Sequence, residues 1–264
     1  MKSGVWGGLT VTGVVDAGLG QRLLDGPLRS TPDSLHTDSL HPDSLHPDSL
    51  TPGERRVRFS PSGALMTYFH GTPRQLSGSM FDSIGGGGDR SDLENQITRE
   101  DVLAVAAVNA PVPAGVASLL LAQPGSGRLA TWLRQLPTDI DLWDAEDDTL
   151  AIATKAWDEI RTIHGAGTTS TTDGGFAATK LLARKRPRLI PLCDEKVRGV
   201  VYLAEGASWW FSLRDAMRVD GEDNEVRFRV CAAMHEADVG YVSVLRGLDV
   251  ILWCYANFGD STPE

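Results

Sequence analysis

GGFAATKLLARKRPRLIPLCDEKV, residues 174–197, carries a turn, a helix, a stop and a second helix start in one line. Gly174 and Gly175 make the turn. Ala178, Leu181 and Leu182 recur at helical spacing and predict a helix over 176–186 with those residues on its buried face. Lys180 and Arg184, four apart, belong to the opposite face. Pro187 stops the helix, because its ring disfavours a helical conformation at Arg186. RLIP then runs extended, and Asp194 is placed to cap the next helix by accepting from the amides ahead of it.

The surrounding sequence is helical in the same way. ITREDVLAVAAVNAP starts at Thr98, has Asp101 three residues on in a capping-box arrangement, and stops before Pro111. Pro113 opens a short helix ending near Leu121, and another covers 127–136. DDTLAIATKAWDEIRTIHG puts Ala153, Ala156, Trp157, Ile160 and His164 on one face and ends at Gly165. Val197, Val200, Val201 and Ala204 keep helical spacing after Asp194. WWFSLRDAMR and NEVRFRVCAAMHEA are helical too, with Trp209 and Trp210 assigned to the core. A last helix near 242–257 carries Leu245, Leu248, Leu252 and Tyr255. Alternating strand patterns are nearly absent, so the fold expected is all-α, a multi-helix globular domain.

The chain has 264 residues, 41% hydrophobic, with a net charge of −10. That charge disfavours generalised binding to nucleic acid or to an anionic membrane. It is also segregated. Residues 176–198 hold seven Lys/Arg and two Asp/Glu, a sum of +5, which leaves −15 for the rest. Lys180, Arg184, Lys185, Arg186 and Arg188 fall within nine positions. The three cysteines, Cys193, Cys231 and Cys254, lack metal-site spacing and give no disulfide framework, which points to a cytoplasmic location. No run reaches the roughly 18 apolar residues of a membrane span.

Residues 31–52, TPDSLHTDSLHPDSLHPDSLTP, repeat a five-residue unit with one leucine each and recurrent proline. One leucine per unit builds no core, so residues 1–62 are expected to be a disordered tail and 63–264 the folded domain. Met66 offers an alternative start. The glycine run Gly85–Gly88 is expected to be a mobile turn. The acidic segment 139–148 is read as a solvated loop that favours the start of the helix after it. No metal or other cofactor is implied.

Two resemblances follow. The glycine turn, helix, short link and aspartate at a helix start resemble the helix-hairpin-helix DNA glycosylases, whose hairpin reads L-P-G-[VI]-G-x-x-T-A. GGFAATKLL matches the hairpin's end and IPLCDEKVRGV the aspartate segment, with Asp194 twenty residues after Gly174. The chain departs from that pattern at Thr172, where a glycine is usual, and at Ala177-Ala178, where T-A is usual. The resemblance implies double-stranded DNA as partner, with Gly174, Gly175, Lys180, Arg184, Lys185, Arg186 and Arg188 on its phosphates and Asp194 as the catalytic carboxylate. Phe176 stands where the lyases carry their lysine, so a monofunctional enzyme is implied. GGGGDR, LPTDIDLWDAEDD, KLLARKRPRLIPLCDEKV and VSVLRGLDVILW also resemble an uncharacterised bacterial family spanning about residues 66–256, which implies no activity. The basic strip read without any resemblance is a helix C-terminus favoured by its dipole, in a non-catalytic interaction module with an unknown protein partner.

Overall fold

The computed structural model describes residues 18–26, 28, 60–71, 77–122, 125, 127–168, 174–192, 195–201, 209–218 and 224–258. Among these there are helices and turns and no strand. The α-helices are α1 (Gly18–Asp25), α2 (Pro61–His70), α3 (Arg99–Ala107), α4 (Ala114–Leu121), α5 (Arg128–Leu133), α6 (Asp147–Gly167), α7 (Gly175–Lys185), α8 (Glu195–Val201), α9 (Trp209–Arg218), α10 (Glu225–Glu236) and α11 (Val244–Phe258). Three short 3₁₀ turns cover Ser77–Met80, Ile84–Gly86 and Leu142–Asp144.

The helices form two packed groups. In one, α6 lies against α4, α5 and α7, and α7 also meets α3. In the other, α11 lies against α2, α8 and α10. α6 buries Leu150, Ala153, Ala156, Ile160, Ile163 and His164 on one stripe. α11 buries Leu245, Leu248, Ile251 and Leu252. Its approach to α10 is close: a methyl carbon at Gly247 would sit 2.5 Å from the sulfur of Met234. Trp209 and Trp210 are buried, and Trp210 meets Trp157 edge-on at 6.2 Å.

Local chemistry sets the helix ends, at Thr98 and before Pro187 as the sequence predicts. Thr98 caps α3, and Asp101 returns to the Thr98 amide at 2.8 Å, completing a capping box. Ser60 caps α2 ahead of Pro61, and Asn224 caps α10 by accepting from the Arg227 amide at 3.0 Å. α7 ends at Lys185, before the Arg186–Pro187 bond.

Two expectations need correction. The N-terminal region is not wholly outside the fold: α1 packs against α8, α9 and α10, with Leu23 and Leu28 buried. The repeat at 31–52 lies outside the described residues. The second correction concerns α7. The helix stands where the sequence placed it, but it is buried on every side from Ala177 to Lys185, so Lys180 and Arg184 do not face solvent. α3, α6 and the segments at 81–94 and 133–136 leave α7 no wet face, and the cations must find partners inside.

Candidate functional site

The basic run of α7 is an internal lock. Lys180 is 4% exposed and its ammonium donates to the Val108 carbonyl at 2.6 Å, at the end of α3. The Arg184 guanidinium donates to the carbonyls of Phe81 and Ile84 and lies 3.4 Å from the Asp101 carboxylate. Lys185, with no exposed surface, reaches the carbonyls of Gly88 and Leu93 at 2.9 and 3.1 Å and Asp101 at 2.5 Å. Arg186 is 1% exposed and places all its donors: Nε on Leu136 O, Nη1 on Glu94 O and Lys185 O, Nη2 on Asn95 Oδ1 and Leu133 O. A guanidinium has five N–H groups, and here each meets an acceptor.

Buried charges persist only when paired or fully hydrogen-bonded. Among the described residues Asp101 is the one buried carboxylate beside this run, so carbonyl oxygens carry most of the compensation. Desolvation pulls the Lys185 ammonium below the usual lysine range, against the attraction of Asp101. It brings Arg186 down to about 10, opposed by the charges of Glu94 and Asp89.

The glycine run belongs to the same lock. Gly85, Gly86 and Gly87 have positive φ, 63, 80 and 100°, a conformation that glycine adopts at no steric cost. A methyl carbon at Gly88 would lie 2.4 Å from the Arg184 carbonyl, so the turn and α7 meet backbone to backbone. The run expected to be a mobile turn is thus pinned at its Gly88 end.

The expected nucleic-acid contacts are corrected accordingly. Lys180, Arg184, Lys185 and Arg186 are committed to carbonyls in the interior and present nothing to a phosphate in this structure. Arg188 is exposed, with a bidentate pair to Asp141 at 2.9 and 2.6 Å. Asp141 belongs to the acidic segment, whose Leu142 amide also donates to the Arg188 carbonyl at 2.9 Å. Gly174 takes φ 69°, and a methyl carbon there would strike the His164 ring at 2.4 Å. The Gly175 carbonyl accepts from the Trp157 indole at 3.1 Å. The packing against His164 accounts for the glycine at 174. Asp194 lies outside the described residues.

A second cluster was not anticipated. Arg246, 3% exposed on α11, holds Asp82 at 2.9 Å, Asp249 at 2.6 Å, the Tyr68 hydroxyl at 3.1 Å and the Gly78 carbonyl at 2.7 Å. The rings of Tyr68, Phe69 and Phe81 surround its guanidinium at 5.2, 5.8 and 5.3 Å. Burial alone lowers its pKa, but electrostatic attraction to Asp82, Tyr68 and Asp249 outweighs that and holds it above the usual arginine value. Burial pushes the Tyr68 phenol up. An arginine and an aspartate at i and i+3 inside an otherwise apolar helix, LRGLDVILW, were the sequence signal for this cluster.

Between the two clusters is a cavity of about 180 Å³. Tyr68, Lys180, Leu192 and Arg246 are its buried walls, and Ser77 and Asn109 its exposed rim. Asp249 and Trp253, half-buried, complete it. Asn109 sits at φ 59°, a left-handed conformation that asparagine tolerates better than most residues. The cavity far exceeds the ~15 Å³ that admits one water. It falls short of the ~300 Å³ typical of drug-sized sites. Among the described residues no three His, Cys, Asp or Glu side chains gather as a metal site, and no helix is long and apolar enough to cross a membrane.

GGGGDR supplies the turn, KLLARKR the cations, LPTDIDLWDAEDD the Leu136 and Asp141 acceptors, and VSVLRGLDVILW the Arg246 cluster. The fold and site together define an all-α domain in which sequence-distant motifs build two buried polar clusters and one surface ion pair. The chain belongs to a family of unknown function, DUF6308, whose model matches residues 62–256. Comparison with curated proteins and with solved structures finds no match.

Proposed function

We propose that this domain binds a small, polar, near-neutral molecule of single-ring size in the cavity between Lys180 and Asp249. The observation that carries the reading is the lining. Lys180 and Arg246 line it with two positive charges and Asp249 with one negative, and Asp82, outside the lining, pairs with Arg246, so the charges of the site and its support balance. A balanced site rich in fixed donors and acceptors suits a dipolar ligand better than a strong anion. Tyr68 and Trp253, edge-on to each other at 5.8 Å, add aromatic surface for a planar ring. The role is binding, without a catalytic residue. We place the protein in the cytoplasm, supported by the unpaired thiols of Cys231 and Cys254.

Ligand-observed NMR on the full chain, with a panel of nucleobases, amino acids and pyridine carboxylates, tests this. At least one class should bind, and Asp249→Asn should weaken it about tenfold, the ~1.4 kcal/mol worth of one charged hydrogen bond. Equal binding in the variant, or silence across the panel, counts against the site.

A second reading keeps the glycosylase resemblance. Its support is position: Leu192, in the cavity wall, stands two residues before Asp194, and a single-ring cavity is the size a flipped base requires. DNA contacts then fall to Gly174, Gly175 and Arg188 alone, and Asp194 remains the proposed catalytic carboxylate. Anisotropy with normal and abasic-analogue duplexes at two salt concentrations separates the readings. Tighter, salt-dependent binding to the abasic analogue favours the enzyme, and no binding to either duplex removes it.

A further inference from the structure

α1 lies outside residues 62–256 that match the family, yet it is seated on the family domain. Leu23 and Leu28 are each 1% exposed. A turn at Gly26, whose amide donates to the Arg22 carbonyl at 3.0 Å, brings the two leucines together, and the Leu28 amide closes on the Leu23 carbonyl at 3.0 Å. Arg229 of α10 then donates to the Leu28 carbonyl at 3.0 Å. The outer face is polar: Gln21 and Asp25 are exposed and bond to each other at 2.8 Å. Between this segment and α2 stands the proline-containing repeat, with one leucine per five-residue unit, which carries no core-forming pattern.

We propose that α8, α9 and α10 form a helix-docking groove of the family domain, held closed in this chain by its own residues 18–28. The recognition is helix-in-groove: two leucines inserted side by side, with an arginine from the groove wall on the backbone carbonyl that follows. The partner that fits is a short amphipathic helix ending in a glycine turn and a leucine. A tethered occupant competes at an effective concentration of order millimolar where its tether spans the gap. The intact chain therefore excludes free peptide, and loss of the two leucines opens the groove.

The test is fluorescence anisotropy of a labelled peptide of residues 16–30 with full-length protein. The Leu23→Asp/Leu28→Asp chain should bind it at least about tenfold more tightly than the unaltered chain, and a peptide carrying the same two aspartates should bind neither. A folded double variant that ignores the peptide, or equal binding by both chains, overturns the proposal. Where the double variant loses its melting transition, the full chain with a protease site inserted in the 31–52 repeat is cut instead. Incorporation of labelled peptide into the cut chain then supports the groove, and failure to incorporate overturns it.

Discussion

Replacing Arg186 with methionine should be among the most damaging single changes in the protein. The guanidinium makes five hydrogen bonds, to Leu136, Glu94, Lys185, Asn95 and Leu133, from a side chain 1% exposed. Bonds to a charged donor are worth about 1.5–3 kcal/mol each, and acceptors stranded in the interior cost about 1–3 kcal/mol apiece. Against that stands the cost of burying the charge. A pKa brought down to about 10 corresponds to about 3 kcal/mol at about 1.4 kcal/mol per unit. The acceptors overlap and do not add, so the net loss should be about 3–5 kcal/mol, the usual result of breaking a buried charged network. For a domain of this size that is a fall in Tm of about 10 °C. Thermal and urea unfolding of Arg186→Met and Arg188→Met, side by side, give the measurement. Arg188 pairs with Asp141 at the exposed surface, so its loss should cost about 1 kcal/mol or less. Comparable melting of the two variants would refute the reasoning.

Asp101→Asn should cost about 3 kcal/mol or more in urea unfolding, since it removes the counter-ion of Lys185 and Arg184 and weakens the α3 capping box. Gly88→Ala should destabilise the fold by about 2 kcal/mol or more and Gly87→Ala by about 1, because the first meets the Arg184 backbone while the second has a positive φ and a methyl 3.1 Å from the Asp89 side chain, which can move; differential scanning calorimetry ranks them. Burial raises the Cys254 thiol to about 12 from its ordinary 9. The native state then holds that proton more tightly than the unfolded chain, so the associated stability is complete below pH 9 and is lost as pH rises toward 12. Cys254→Ala should flatten that alkaline limb, by at most about 1.4 kcal/mol per pH unit, in unfolding followed from pH 8.5 to 11.

The parts of the fold legible in the sequence were those decided locally. The Thr98–Asp101 box, the stop at Pro187 and the apolar stripe of α6 depend on residues within a few positions of one another, and the structure has them. α7 was legible as a helix and not as a buried one. Lys and Arg are seldom fully buried, so a run of them reads as a wet face. Here their partners are mostly backbone carbonyls from residues 81–94, 108 and 133–136, which no pattern of side chains in the basic stretch announces. α1 was missed because its signal is two leucines and a glycine turn ahead of a repeat with no core pattern. Tyr68, Asn109, Asp249 and Trp253 come from three separate segments, and the only local signal for the site was the Arg246–Asp249 spacing inside an apolar helix, which was not read.

The central claim is that the basic run is an interior lock. Native-state amine acylation read by mass spectrometry tests it most directly, because Lys155 and Lys196 are exposed while Lys180 and Lys185 are not. The account predicts rapid modification of Lys155 and Lys196, and protection of Lys180 and Lys185 until the protein unfolds. Equal labelling of all four in protein that keeps its native circular dichroism would contradict it.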